Sequence, residues 1–293
     1  IYIGFTEWTP TSGDNVWGAY HFWHWFDGYW EALTSVDFWN AMWRTVLITV
    51  VCVLVEFLIG FALALLLVKN FRGRGLVTVY FLLPMMVIPA VTGFVFFMIY
   101  QVDGPLNQAL TLILPGDVSV AWLNDPDLAI WAVMTADIWQ WTPLMFLIFL
   151  SGLVALPEDQ MNAARILGAS WFSQMRYLVI PMMKPILLIA VIIRAIEAFK
   201  LFDPIIFMTR GGPGTASENI SLYLYKQTIV NGRWGYASAV AILILIFVSV
   251  VGLRAIKPIE QAQEETLEAL VGTDAASGGG QTLEEAIEAE ARV

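Results

Sequence analysis

Seven side chains that carry a charge or an amide lie within or at the ends of long apolar stretches of this 293-residue chain. They are Glu56, Asp137, Gln140, Arg194, Glu197, Lys200 and Asp203. A charge that faces lipid in the middle of a membrane helix costs roughly 2.5 to 3.5 kcal/mol or more. These groups should therefore face protein or water, where they can pair with one another or contact a polar solute.

Four of these charges recur at intervals of three residues, namely Arg194, Glu197, Lys200 and Asp203. On a helix this spacing lets successive opposite charges pair along one stripe. One interpretation is an ion ladder that satisfies itself against a neighbouring helix. The other is a stripe that lines a translocation cavity with Gln140 and the indoles of Trp139 and Trp141, because aromatic faces beside hydrogen-bonding groups suit sugar rings.

The residues required for catalysis or for metal binding do not form a recognisable set. His21 and His24 are three residues apart, but no third ligand is indicated nearby, so we predict no metal site. The single cysteine, Cys52, lies in an apolar run and is expected to be a buried hydrophobe. The sequence contains neither a His-Glu-x-x-His motif nor a Gly-x4-Gly-Lys-Ser/Thr motif, which argues against an intramembrane metalloenzyme and against an ATPase.

The composition is typical of a membrane protein, with 58% hydrophobic residues, a mean hydropathy of +0.70 and thirteen tryptophans. Five apolar runs reach the roughly 20 residues that a helix needs to cross the hydrocarbon core. They are residues 42–68, 76–100, 128–153, 185–208 and 236–256. The first residues read like the end of a further apolar segment, so we expect an all-α integral membrane protein of about six helices.

Basic residues place three loops on one side of the membrane, which the positive-inside rule assigns to the cytoplasm. These loops carry Lys69, Arg72 and Arg74, then Arg165, Arg176 and Lys184, then Arg254 and Lys257. Residues 1–37 are then expected to contain the remainder of the first helix and an aromatic segment at the outer face. The net charge of -10 comes mostly from an acidic tail, residues 258–293, which is expected to be a mostly disordered cytoplasmic extension, although short helices could form there. Nothing resembles a basic patch for nucleic acid.

A polar stretch between two apolar runs, residues 158–185, predicts two short helices joined at a glycine. Pro157 suits a first helical position, Gly168 supplies a left-handed residue, and Ser170 caps the second helix. Pro181 and Pro185 are expected to close that helix before the next span. The stretch is either an amphipathic loop on the bilayer surface or a knob that docks a partner.

Six residues of this stretch carry a resemblance to a known motif: Asn162, Ala163, Ala164, Gly168, Phe172 and Pro181. Their spacing resembles the "EAA" loop of binding-protein-dependent ABC importer permeases, which docks into a groove of a cytoplasmic ATPase. Asn162 replaces the leading Glu of the family pattern, and Leu167 replaces the Asp that usually precedes the Gly. The resemblance implies an ATPase-coupling role for this loop.

Four further motifs resemble the carbohydrate-uptake branch of these permeases, of the maltose and glycerol-phosphate type. They are Phe202-Asp203, the Thr-x-Gly-Gly-Pro-Gly run at 209–214, Ser-Leu-Tyr-x-Tyr at 221–225 and Gly235-Tyr236-Ala237. The resemblance implies the transmembrane domain of a type I ABC importer, at residues 38–257, in a bacterial or archaeal cytoplasmic membrane. It also implies a second permease subunit, an ATPase dimer that holds ATP and Mg, and an external solute-binding protein, near which Gly211, Gly212 and Pro213 would lie. The chain itself would bind no cofactor.

An ion-coupled secondary transporter is the alternative from another class, with Glu56 and Asp137 as its intramembrane carboxylates. Such folds usually show repeated halves and broken helices. The sequence predicts neither feature, which favours the ATP-driven importer.

Overall fold

The structure is a computed structural model that describes residues 2–12, 15–69, 71–116 and 119–254. Within these ranges the fold is almost entirely helical, and four helical stretches are long and apolar enough to cross a membrane: Val36–Leu67, Ala129–Val154, Trp171–Met208 and Trp234–Arg254. The acidic tail at 258–293 lies outside the described residues. The α-helices are α1 (Asp27–Thr34), α2 (Val36–Leu67), α3 (Arg74–Leu82), α4 (Pro89–Ile99), α5 (Pro105–Ile113), α6 (Ala129–Val154), α7 (Glu158–Ile166), α8 (Trp171–Gln174), α9 (Ile180–Phe199), α10 (Asp203–Met208), α11 (Ile220–Tyr225) and α12 (Trp234–Arg254).

The described residues fall into two compact units. The first runs up to residue 154 and resumes at 193–247, and the second contains residues 155–192 and those from 248 onward. The long helices α2 and α6 form the centre of the first unit, around a core that includes Ile48, Cys52 and Val133. Gly60 lets α2 approach α6 closely, because a Cβ at that position would lie 2.8 Å from the Cβ of Met145. The core is therefore built from small and branched residues on facing helices.

The apolar run at 76–100 does not form the single helix that the sequence predicted. Helix α3 ends at Leu82, a 3-10 turn covers Leu83–Met86, and α4 begins at Pro89. Prolines 84 and 89 cannot donate a backbone hydrogen bond, and the residue before a proline is driven toward extended geometry, as at Ile88 with ψ of 134°. The expectation that no membrane helix would be broken was therefore wrong.

The segments that follow α9 pack within the first unit, mostly as short helices. Gly93 of α4 faces α10 so closely that a Cβ there would lie 3.0 Å from the Cα of Pro204. The Thr45 hydroxyl on α2 accepts the backbone N–H of Ile220 at 2.8 Å, which fixes the start of α11. The hydroxyls of Tyr223 and Tyr236 are 2.7 Å apart and join α11 to α12. These contacts give the Ser-Leu-Tyr-x-Tyr and Gly-Tyr-Ala motifs a structural role.

The described part of the second unit contains α7, α8 and the first two thirds of α9. The prediction that Pro181 and Pro185 close the second helix was wrong, because α8 continues through a π-helical turn, Met175–Val179, into α9. The Ile180 N–H bonds to the Met175 carbonyl, which is the wide spacing of a π turn. Pro181, which has no N–H, then falls in the first turn of α9, where a missing donor costs little.

Candidate functional site

A buried ion cluster joins three of the long helices in the first unit. Arg194 of α9 donates from Nε and Nη2 to the two carboxylate oxygens of Glu56 on α2, at 2.6 and 2.9 Å. Its Nη2 also donates to Asp137 on α6. All three side chains are at most 1% exposed. The even spacing along α9 suggested that Arg194 would pair with Glu197, but it pairs across helices instead.

Neighbouring groups complete the surroundings of this cluster. The guanidinium of Arg194 lies 5.5 Å from the ring centroid of Trp141, within the range of a cation–π contact. The Cys52 thiol lies beside Glu56 and Asp137, and it donates weakly to the Met134 carbonyl at 3.9 Å. The guanidinium supplies the positive charge that two adjacent buried carboxyl groups require. We therefore assign the cluster a role in holding α2, α6 and α9 together.

Gln140 is also buried, and its amide bonds to the backbone at the break between α3 and α4. Its Nε2 donates to the carbonyl of Val87 at 2.6 Å, between the 3-10 turn and α4. This bond satisfies a backbone acceptor that the break in the helix leaves free. The Oε1 atom of Gln140 is buried without a partner among the described residues. Trp139, next to it, is 44% exposed, and its ring lies tilted against that of Phe96, with the centroids 5.5 Å apart.

The remaining charges of the predicted stripe are accessible. Glu197 and Lys200 form an ion pair at 2.8 Å, with side chains 46% and 59% exposed. This pair agrees with the i, i+3 interpretation of the sequence. Asp203 lies in the first turn of α10, where the helix dipole favours a negative charge. The structure thus separates the stripe into one enclosed cation, one exposed pair and one residue at a helix start.

The helix-glycine-helix segment forms in the second unit much as predicted. Gly168 adopts a φ of +81°, and the N–H of Ala169 closes the end of α7 on the Ala164 carbonyl at 3.0 Å. The Ser170 hydroxyl caps α8 by accepting the Ser173 N–H at 3.2 Å. Pro157 differs from its predicted position by one residue, since it precedes α7 rather than beginning it.

The segment presents large apolar side chains on its surface. Ile166 and Leu167 are each 86% exposed, and Trp171 and Phe172 are each 66% exposed. Asn162, at the start of the predicted motif, only accepts a long hydrogen bond from Arg165, at 3.4 Å. We call Ile166, Leu167, Trp171 and Phe172 the exposed apolar group of the coupling segment. Of these four, only Phe172 was among the coupling residues predicted from the sequence, although the unusual Leu167 beside Gly168 was a signal for the others.

The glycine-rich turn after α10 is tightly built. Gly211 has a φ of +85° and Gly214 a φ of +61°, and the Gly212-Pro213 peptide is cis. Glycine and proline in the order Gly-Gly-Pro-Gly predict a turn with exposed backbone donors, but two N–H groups of this turn are engaged. The N–H of Gly211 bonds to the Thr209 hydroxyl at 3.2 Å, and that of Gly212 bonds to the Thr209 carbonyl at 2.9 Å. The turn is thus a rigid support rather than a row of free donors.

Comparison with protein families resolves what this architecture is. Residues 56–262 match the family described as "Binding-protein-dependent transport system inner membrane component". The chain belongs to this family. It is therefore a multi-pass membrane subunit of a transport system rather than an enzyme.

Several curated relatives cover most of the chain. The trehalose/maltose transport system permease protein MalF of Thermococcus litoralis is 35% identical over 221 residues, which cover 75% of this chain and 74% of that protein. The trehalose transport system permease protein SugA of Mycobacterium tuberculosis is 34% identical over 75% of this chain and 69% of its own length. The sulfoquinovosyl glycerol transport system permease protein SmoG of Agrobacterium fabrum is 30% identical over 79% and 76%.

Solved structures show the same fold. A chain of a bacterial ABC transporter involved in the import of the acidic polysaccharide alginate superposes with a TM-score of 0.74 and 20% identity, over 82% of this chain and 84% of that one. A chain of the MetNI methionine ABC transporter in an inward-facing conformation gives 0.54 and 16%, over 75% and 93%. The expected fold, the transmembrane domain of a type I ABC importer, is confirmed.

Proposed function

We propose that this chain is one of two membrane-spanning subunits of an ATP-driven importer for a sugar or sugar derivative. An external solute-binding protein delivers the solute at the outer face. An ATPase dimer, which holds ATP and Mg, docks at the cytoplasmic face of a bacterial or archaeal inner membrane. The names of the relatives support the class of solute, since they describe transport systems for trehalose, maltose and sulfoquinovosyl glycerol.

The observation that carries the ATP-driven mechanism is the exposed apolar group of the coupling segment. Four large apolar side chains on a short helix-turn-helix would cost free energy if they remained in water. A protein groove that covers them recovers this free energy, and α7 and α8 together are short enough to fill such a groove. Asn162, Ala163 and Ala164 would position α7, and Pro181 would position the start of α9, while Gly168 sets the angle between α7 and α8.

The translocation path is proposed to follow the exposed polar side of α9 and α6. Glu197 lies in the last turn of α9 and Lys200 directly follows it, and both side chains are accessible. Since charged groups near the membrane avoid lipid, we assign the pair to a water-filled path or to the contact with the second permease subunit. Trp139 on α6 and Trp141 would add aromatic faces, and Asp203 would mark the outer end. Gln140 and Arg194 are buried, so we assign them to the support of this wall.

ATP-dependent uptake in proteoliposomes tests the proposal directly. The chain is purified with its partner subunits, reconstituted, and supplied with the cognate binding protein. The labelled solutes, tested in parallel, are trehalose, maltose and a disaccharide that contains one uronate unit. We expect uptake that requires ATP inside the vesicles and continues after ionophores collapse the proton and sodium gradients. Uptake that follows an ion gradient without ATP would overturn the proposal in favour of a secondary transporter.

A docking variant complements this experiment. Replacing both Ile166 and Leu167 by Ser should release the ATPase from the purified complex, because the docking contact loses its apolar area. Leu112, which is 88% exposed on α5 at the opposite predicted face, provides the matched control for a surface Leu→Ser change. Retention of the ATPase by the double variant would contradict the docking role.

A further inference from the structure

A cavity of about 610 Å³ lies in the first unit, on the side of the membrane predicted to face outward. Three segments form its walls: the end of α4 with residues 100–102, the loop at 121–124, and α10 with the glycine-rich turn. Small-molecule sites in proteins typically enclose about 300 to 1,000 Å³. The cavity is thus of a size that holds a small polar ligand, and neither the ion cluster nor the coupling segment contributes to it.

The aromatic part of the wall is held in place by its own contacts. The Tyr100 hydroxyl lies 2.5 Å from the Thr135 hydroxyl, and its ring centroid is 5.9 Å from that of Trp122. Phe94 and Phe97 stack at 6.3 Å with an interplanar angle of 26°. Fixed aromatic faces of this kind bind the C–H face of a sugar ring with little loss of side-chain entropy.

The polar part of the wall has unused hydrogen-bonding capacity. The side-chain Nε2 of Gln101 donates a hydrogen bond to the Phe97 carbonyl oxygen at 3.3 Å, which leaves its Oε1 available as an acceptor. Among the residues that the structure describes, the side chains of Asn124 and Arg210 make no hydrogen bond or ion pair, and both line the cavity. By contrast, the hydroxyl of Thr209 is engaged with Ser217 at 2.7 Å.

The described lining of the cavity carries a positive charge and no negative one. Arg210 is a lining residue, whereas the described lining contains neither Asp nor Glu. Arg210 is placed there by a backbone φ of +54° and by a bond from its N–H to the Ile205 carbonyl at 2.8 Å. An unpaired guanidinium beside amides favours an anion, because charge-assisted hydrogen bonds to carboxylates or sulfonates are the strongest that arginine makes.

We propose that this cavity binds a sugar ring that carries a carboxylate or sulfonate group. Arg210 binds the anionic group, Asn124 and Gln101 bind hydroxyls, and the aromatic wall packs on the ring. The site receives the solute at the outer mouth, ahead of the path along α9. This inference rests on the proposed function, to which it adds the charge of the solute and a first binding station.

Calorimetric titration of the purified complex, without the binding protein, tests the charge preference. The probes are a disaccharide that contains one uronate unit and the same disaccharide with its carboxyl group reduced to an alcohol. We expect the uronate to bind more tightly, and Arg210→Gln to weaken its binding about tenfold or more without changing that of the neutral probe. Arg210→Lys should keep part of the preference. The control is Arg233→Gln, since Arg233 pairs with Glu31 outside this cavity.

Cysteine protection tests the location. The native Cys52 is fully buried, so within this chain a maleimide should react with the introduced thiol, and labelling is followed on the band of this subunit. We expect the uronate probe to slow labelling of a Gln101→Cys variant and to leave that of a Leu112→Cys variant unchanged. Equal affinity for the two probes, absence of protection, or a thiol at position 101 that is blocked without any probe would each overturn the inference. Failure of ATP-dependent uptake with probe binding intact would instead count against the proposed function alone.

Discussion

Arg194 binds both carboxylate oxygens of Glu56, a residue that lies 138 positions earlier in the chain, on a different helix. Such a bidentate pair fixes the guanidinium in position and in orientation. Asp137 accepts a further bond from the same guanidinium, so α2, α6 and α9 meet at one enclosed charge. This arrangement explains why three membrane helices each retain a buried charged side chain.

Arg194→Gln should destabilise the protein strongly. The change leaves two buried carboxyl groups without their cation, which typically costs about 3 to 5 kcal/mol. Thermal unfolding in detergent should show a lower midpoint. Size-exclusion chromatography of the purified sample should show loss of the assembled complex. A variant that assembles and keeps its unfolding midpoint would contradict the structural assignment and return Arg194 to the list of substrate-contacting residues.

Lys200→Gln should behave differently from Arg194→Gln, because Lys200 and its partner Glu197 are both accessible. Removal of an exposed ion pair changes stability by less than about 1 kcal/mol. We expect normal assembly and normal basal ATPase activity, together with reduced uptake if this pair lines the path. Uptake at the full rate would remove Lys200 from the proposed path.

Gln140→Met tests whether the amide supports the broken span. Methionine keeps the approximate volume but cannot donate to the Val87 carbonyl, so a buried acceptor loses its partner at a cost of about 1 to 3 kcal/mol. A lower unfolding midpoint is the expected result. The control is Trp139→Phe, at the neighbouring exposed position, which should leave the midpoint nearly unchanged. An unaltered midpoint in Gln140→Met would imply that the amide acts on the solute instead.

The local features of the fold were largely predictable because they depend on residues close in sequence. Gly168 and Ser170 act within one turn of their own positions, and the apolar run from Val36 to Leu67 specifies a helix by itself. The break at Ile88 was also encoded locally, by Pro84 and Pro89, but the apolar composition of the run concealed it. Local patterns thus gave the coupling segment and all but one of the long spans.

The pairing of charges could not be read in the same way, because it depends on contacts between distant helices. The three-residue spacing correctly suggested an ion pair between Glu197 and Lys200. It could not identify Glu56, on another helix, as the partner of Arg194. The same limit applies to the cavity at the outer face. Arg210 lies in a turn, whereas Asn124, which also lines the cavity, belongs to a loop more than eighty residues earlier.

Gly211→Ala should weaken the response of the complex to its binding protein. A Cβ at this position would lie 2.7 Å from Leu222 Cδ2, and the φ of +85° disfavours any residue other than glycine. The turn must then shift, so we expect less stimulation of ATPase activity by loaded binding protein and a nearly normal basal rate. Gly232→Ala is the control, with a φ of +66° and open space around it. Equal loss of basal and stimulated activity in Gly211→Ala would indicate misfolding instead.

Gly168→Val should separate ATP hydrolysis from transport. No atom within 4 Å obstructs a side chain at this position, so the expected effect comes from backbone strain alone. A β-branched residue at a φ of +81° costs about 1 to 3 kcal/mol, and the segment can relieve this strain only by changing the angle between α7 and α8. The exposed apolar group would then no longer match its groove. The expected result is ATPase that dissociates from the complex, or that hydrolyses ATP without uptake. Gly73→Val is the matched control, because Gly73 has a φ of +91°, equally open surroundings and a position in the loop before α3. If both variants assemble and transport alike, the coupling role of Gly168 is refuted.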